Sequence, residues 1–77
     1  MNIVFLNALK ENNWVEVSDD WEYKKGNWQI SRDTSSWWMI FNSNDRVFDF
    51  PEPTDYTARW TFNLIEKLCK LHDQINK

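Results

Sequence analysis

Short alternating runs, separated by turn residues, fill the middle of the chain and constrain its fold more than any other feature. Four runs alternate or are rich in aromatic and β-branched residues: 21–24, 28–31, 37–41 and 47–50. Turn signals separate them at Gly26, at 33–36 and at 42–45. Gly26 is the sole glycine, and a tight hairpin that needs positive φ is its natural place. The pattern predicts a four-stranded antiparallel meander.

Helical periodicity replaces the alternation at both ends of the chain. Phe5, Leu6 and Leu9 share one side of a helix predicted over residues 2–12. Thr54 or Asp55 can cap a second, longer helix that continues to Ile75. The apolar side of this second helix comprises Tyr56, Trp60, Leu64, Leu68, Leu71 and Ile75. We therefore expect an α+β fold in which both helices pack on one face of the sheet.

The length of 77 residues allows a single domain, residues 1–77. A chain this short buries only about 60% of its unfolded surface, so six Trp, five Phe and two Tyr must supply a dense core. No apolar run approaches the roughly 18 residues of a membrane span, and no signal-peptide pattern begins the chain. One cysteine excludes an internal disulfide framework and favours a cytoplasmic location.

The turn lengths assign side chains to the two faces of the predicted sheet. Loops of two residues at 25–26, four at 33–36 and four at 42–45 set Tyr23 opposite Trp28, Ile30 opposite Met39 and Met39 opposite Phe48. They align a large apolar face that must meet the helices and that consists of Trp21, Tyr23, Trp28, Ile30, Trp37, Met39, Phe41, Phe48 and Phe50. The opposite face is polar except for Trp38, Ile40 and Val47, with Asp49 and Gln29 beside them. The assignment depends on the turn at 33–36, because one residue more or fewer would exchange the faces of the flanking strands.

Clustered apolar surface rimmed by polar groups is typical of interaction sites. We therefore predict a partner-binding patch of five residues: Trp38, Ile40, Val47, Asp49 and Gln29. The alternative is that Trp38 lies flat over its neighbours as a half-buried sheet residue.

The sequence favours no catalytic or metal site. Cys69 and His72 lie three apart on the second helix, but no second Cys or His completes a ligand set. One glycine excludes a phosphate-binding loop, and every serine lies far in sequence from His72. We therefore expect no enzyme activity, no metal and no cofactor.

The most favoured function is binding of another protein, without catalysis. A small acidic Trp-rich domain of this kind suits bacterial or phage accessory proteins that act as inhibitors, immunity-type factors or adaptors. One alternative is single-stranded nucleic-acid binding through sheet aromatics and Lys24, Lys25 and Arg32, which the net charge of −3 disfavours. Another is a structural homo-oligomer, such as a dimer paired through a free sheet edge.

Overall fold

The chain runs from one helix through five strands to a second helix, as seen in a computed structural model. The structure describes residues 2–18, 21–34 and 36–75. The elements are α1 (Ile3–Glu11), β1 (Val15–Ser18), β2 (Glu22–Lys25), β3 (Trp28–Arg32), β4 (Trp37–Asn42), β5 (Asp45–Pro51) and α2 (Ala58–Ile75). The strands form one antiparallel sheet in the order β1-β2-β3-β4-β5.

The predicted α+β class is confirmed, but the prediction of four strands is wrong. The additional strand is β1, which pairs with β2. Its Val-Glu-Val-Ser alternation is visible in the sequence. All four of its residues are exposed, however, so β1 contributes nothing to the apolar pattern from which the other strands are predicted.

Helix α1 follows its sequence signals. The Asn2 side chain caps its first turn by accepting a hydrogen bond from the Phe5 N–H at 2.9 Å. Phe5, Leu6 and Leu9 are buried, as their spacing predicts. The helix ends before Asn13, whose φ of 70° is not helical.

The hairpin between β2 and β3 turns at Gly26, whose φ is 61°. Tyr23 pairs with Ile30, whereas the sequence predicts Trp28 as its partner. This register differs by two residues from the predicted one. A shift of two preserves the faces of a strand, so Tyr23, Trp28 and Ile30 remain together on one side.

The turn between β3 and β4 is one residue longer than predicted, and this reverses the faces of β4. Ile30 pairs with Ile40, where the sequence predicts Met39. Ser36 adopts a φ of 67° at the end of the turn, and Ser35 lies outside the described residues. Trp38 and Ile40 therefore share a face with Ile30.

A bulge in β5 restores the predicted placement of the last strand. Phe48 pairs with Ile40, but Arg46 pairs with Phe41, so Val47 is an extra residue in β5. Phe48 and Phe50 consequently lie on the face of Ile40, as predicted, even though β4 is reversed.

Both helices pack on this face, called here the inner face, which carries Tyr23, Trp28, Ile30, Trp38, Ile40, Phe48 and Phe50. The Phe5 ring of α1 lies 5.4 Å from that of Trp38, centroid to centroid. The His72 ring of α2 lies 5.1 Å from that of Trp28. Neither helix in the described part of the chain has the length and hydropathy needed to cross a bilayer.

Candidate binding surfaces

The predicted partner-binding patch does not form a surface. Trp38 and Ile40 have no exposed area, and Val47 is half-buried against the core. The one-residue difference in the β3–β4 turn is the cause, because it turns these side chains toward the helices. This part of the prediction is wrong. Gln29 and Asp49 do lie on the opposite side of the sheet, the open face.

The open face carries its own apolar row on β4, made of Trp37, Met39 and Phe41. Trp37 is 45% exposed, and the other two are half-buried. Gln29 pairs with Phe41, and Asp49 pairs with Met39, so both flank the row as rim residues. The predicted rim residues thus flank an apolar row, but the row is formed by the alternate residues of β4 and not by Trp38 and Ile40.

Trp38 is held in the core by a half-buried carboxylate. Its indole Nε1–H donates to Glu52 Oε2 at 2.6 Å, and the Arg32 guanidinium Nε donates to the same oxygen at 2.7 Å. The Asn2 N–H donates to Glu52 Oε1 at 2.8 Å. Burial acts to raise the pKa of Glu52, but these hydrogen bonds and the charge of Arg32 outweigh it and lower the pKa below 4.5.

Two further buried tryptophans are anchored in the same way to acidic residues of α2. Trp14 Nε1–H donates to Glu66 Oε1 at 3.0 Å, and Trp28 Nε1–H donates to Asp73 Oδ2 at 3.3 Å. Burying an indole requires a partner for its N–H. These carboxylates therefore serve to hold the core together.

The lone thiol has the properties of a core residue. Cys69 is buried on α2, and burial, reinforced by the charges of Glu66 and Asp73, raises its pKa to about 12. The thiol therefore stays protonated at neutral pH and is a poor nucleophile. The residues that the structure describes contain no group of three or more His, Cys, Asp or Glu able to hold a metal ion.

The three cations of the nucleic-acid alternative are not brought together as a free basic edge. Lys25 lies 3.4 Å from Glu66, and Arg32 is paired with Glu52 while its guanidinium lies 5.0 Å from the Trp21 ring. Lys24 points to solvent on the open face. These contacts count against a phosphate-binding edge at this position.

Helix α2 carries two apolar lines, and the sheet covers only one of them. The covered line consists of Ala58, Thr61, Phe62, Ile65 and Cys69. The uncovered line, called here the α2 ridge, consists of Trp60, Leu64, Leu71 and Ile75, which are 67%, 40%, 53% and 79% exposed. At about 100° per residue the two lines lie roughly a third of a turn apart.

The α2 ridge contains four of the six residues that the sequence predicts as the packing side of the helix. Of the other two, Tyr56 precedes α2 and is exposed, and Leu68 is half-buried. The orientation of the helix could not be read from periodicity alone, because Ala58, Phe62, Ile65 and Cys69 recur with the same three- and four-residue spacing. The presence of two such lines on one helix is the sequence signal that one of them would remain uncovered.

One basic residue, Lys67, borders the ridge. Lys67 follows Leu64 by three positions and precedes Leu71 by four, so it lies directly beside both. Arg59 and Lys70 are also exposed, but Arg59 lies near α1 and Lys70 lies near Trp14 and Trp28, away from the ridge. The acids of α2, Glu66 and Asp73, lie on the sheet side with Trp14 and Trp28. The solvent side of the helix is therefore apolar and basic, although the chain is acidic overall.

A second apolar surface lies between α2 and the last strand. This cavity of about 300 Å³, called here the β5 groove, is open to solvent at the edge of the sheet. Its lining residues are Phe48, Asp49, Phe50, Thr61, Leu64, Ile65 and Leu68.

Comparison with models of protein families, with curated proteins and with solved structures found no significant match to this chain.

Proposed function

We propose that this chain is a non-catalytic protein-binding module that contacts its partner through the α2 ridge. The observation that carries the proposal is the exposure of Trp60, Leu64, Leu71 and Ile75 along one side of a helix. A contiguous apolar surface bordered by charge is typical of protein–protein contact, and Trp is enriched among the residues that dominate binding energy. Inhibitor, immunity-type factor and adaptor are the roles that suit such a small module.

The border of the ridge defines the chemistry of the partner. Lys67, between Leu64 and Leu71, supplies positive charge beside the apolar line. Complementary charge fixes orientation and accelerates association. The partner surface is therefore an apolar groove or helix face flanked by Asp or Glu.

The same border disfavours pairing of two copies through their ridges. Lys67 lies near the midpoint of the stretch from Trp60 to Ile75. Parallel or antiparallel pairing in register would bring the two Lys67 ammonium groups together, and like charges repel. A structural homo-oligomer built on this surface is accordingly the weaker alternative.

The test compares two exposed tryptophans on different sides of the molecule. Tagged wild-type chain, Trp60→Ala and Trp37→Ala are used to capture partners from nuclease-treated lysate of the encoding organism. The captured protein is then titrated against each variant. We expect Trp60→Ala to weaken binding about thirtyfold, the effect of a hot spot of roughly 2 kcal/mol, and Trp37→Ala to leave it nearly unchanged.

Two results would contradict the proposal. Equal affinity of Trp60→Ala and wild type would remove the ridge from the contact. Capture that disappears on nuclease treatment would favour the nucleic-acid alternative instead. Substitution of Lys67 by Glu sharpens the experiment, because an acidic partner should then bind more weakly and with a reduced salt dependence.

A further inference from the structure

The outer edge of β5 is the longest free strand edge in the described part of the chain. β5 spans seven residues and is the last strand of the sheet. The opposite edge, β1, spans four residues and has a bulge. An unpaired edge offers N–H and C=O groups to a further strand.

The hydrogen-bond phase of β5 identifies which backbone groups point outward. The Glu52 N–H donates to the Ser36 C=O at 2.9 Å. Bonded and non-bonded pairs alternate in an antiparallel ladder, so Phe50 and Phe48 bond to β4. The N–H and C=O of Asp49 therefore point away from β4, as does the C=O of Pro51.

The β5 groove lies directly beside this edge. Phe48 and Phe50 form one wall on the inner face, and Leu64 and Leu68 of α2 form the other. On an added strand, residues opposite Phe48 and Phe50 would point into this apolar space, while the residue opposite Asp49 would point to the open face. Backbone bonds and alternate apolar positions are thus offered together, which is the requirement for strand addition.

We propose that an extended segment of another protein binds here as a sixth strand, with apolar residues at alternate positions in the β5 groove and a Lys or Arg opposite Asp49. Asp49 is ion-paired with Arg46 on the same strand at 2.5 Å, Asp45 leaves β5 with one net negative charge, and the chain carries a net charge of −3. Opposite charges on directly paired residues stabilise strand pairing.

A second copy of this chain is a poorer occupant in the three antiparallel registers of β5 with itself that are centred on Asp49, Phe50 and Phe48. Centred on Asp49, the pairing sets two carboxylates opposite each other. Centred on Phe50, it sets Asp49 against Pro51, which has no N–H to donate. Centred on Phe48, it places Asp49 against Val47, the bulged residue, where the ladder is irregular.

This inference rests on the proposed function only in treating the chain as a protein-binding module. The contact that it uses is the β5 edge and groove, and not Trp60 of the α2 ridge. The probe is a blocked heptapeptide of alternating lysine and valine, titrated into isotope-labelled protein and followed by amide chemical shifts. Matched probes are the glutamate–valine peptide and a lysine–valine peptide that is N-methylated at its central residue. We expect the first to shift the amides of Phe48, Asp49 and Leu68, and the other two to bind at least fivefold more weakly.

A pair of variants isolates the backbone contribution. Asp49→Pro removes the outward N–H but no bond to β4, and an edge strand tolerates proline at such a position. Asp49→Ala removes the same side chain and retains the N–H. We expect Asp49→Pro to bind the peptide about fivefold or more weakly than Asp49→Ala, as the loss of one main-chain hydrogen bond requires. The N-methylated peptide makes the same comparison on unaltered protein, should Asp49→Pro fold poorly.

Three results would overturn the inference. The first is absence of binding at about 1 mM peptide, the weak end of the affinity scale. The second is equal binding of the N-methylated and unmodified peptides. The third is self-association of the protein that Asp49→Pro abolishes, which would make a second copy the occupant. If Trp60→Ala leaves partner affinity unchanged while the peptide results hold, the ridge proposal fails alone.

Discussion

Two tryptophans of this chain occupy opposite environments. Trp38 has no exposed area, its N–H is bound by Glu52, and its ring contacts Phe5 and Phe50. Trp60 is 67% exposed on the outer side of α2. The sequence suggests the reverse, with Trp38 on the surface and Trp60 against the sheet.

The difference between them lies in how the side chain is connected to the rest of the molecule. An indole in the core is fixed by a carboxylate that a distant segment supplies, as Glu52, Glu66 and Asp73 do for three buried tryptophans. Trp60 lies instead one turn from the exposed Leu64, on the solvent side of the helix. Tryptophans of this chain therefore contribute both to the stability of the core and to a surface able to bind. A carboxylate that accepts the indole N–H distinguishes the buried tryptophans from Trp60.

The largest expected effect is that of Trp38→Ala. Truncation of a buried Trp typically costs about 3–5 kcal/mol, which is comparable to the whole stability of a small domain. We expect urea or thermal unfolding to show a largely unfolded protein. The neighbouring variant Trp37→Ala, on the open face, serves as the control and should unfold near the wild-type midpoint. An unchanged unfolding midpoint for Trp38→Ala would indicate that Trp38 lies on the surface and not in the core.

A smaller effect is expected for Glu52→Gln. Loss of the ionised acceptor of Arg32 and Trp38 should lower the unfolding free energy by about 1.5–3 kcal/mol. Because folding lowers the pKa of Glu52 from its ordinary value of 4.5, this stabilisation is full above pH 4.5 and is lost as the pH falls through the folded-state pKa.

The measurement is urea unfolding of wild type and Glu52→Gln at neutral pH and well below pH 4.5. The difference between the two proteins should shrink in acid. A difference that is independent of pH would assign the loss to packing and not to the carboxylate charge.

The smallest effect on stability is expected for Trp60→Ala. Substitution of a surface side chain usually changes the unfolding free energy by no more than about 0.5 kcal/mol. Its thermal midpoint should therefore match that of wild type, which also makes it a clean variant for the binding experiment. A large destabilisation would show that the ridge packs against the core.

The extent to which the sequence predicts this fold depends on whether an error in strand register is odd or even, because only an odd error moves side chains to the other face of the sheet. Element types, the antiparallel order and the burial of Phe5, Tyr23, Trp28 and Ile30 follow from periodicity and turn signals. A register difference of two at Gly26 changes no face, whereas a difference of one at the next turn reverses β4. Turn residues indicate that a turn exists but do not fix its length to a single residue.

The candidate surfaces are predictable only in part, for a related reason. The sequence predicts the correct side for Gln29 and Asp49, because both β3 and the bulged β5 keep their predicted faces. The bulge at Val47 has no signal in the sequence. Nor does the sequence state which of two equally spaced apolar lines on α2 meets the sheet, since that depends on how much inner face α1 leaves uncovered.

The strand order also has a consequence in time. Each strand pairs with the one before it, so the sheet forms through contacts between neighbouring segments, which favour rapid folding. The helix that covers much of the inner face comes last. Until α2 docks, the aromatic inner face is exposed to water, and packing of Phe62 and Ile65 ends this exposure.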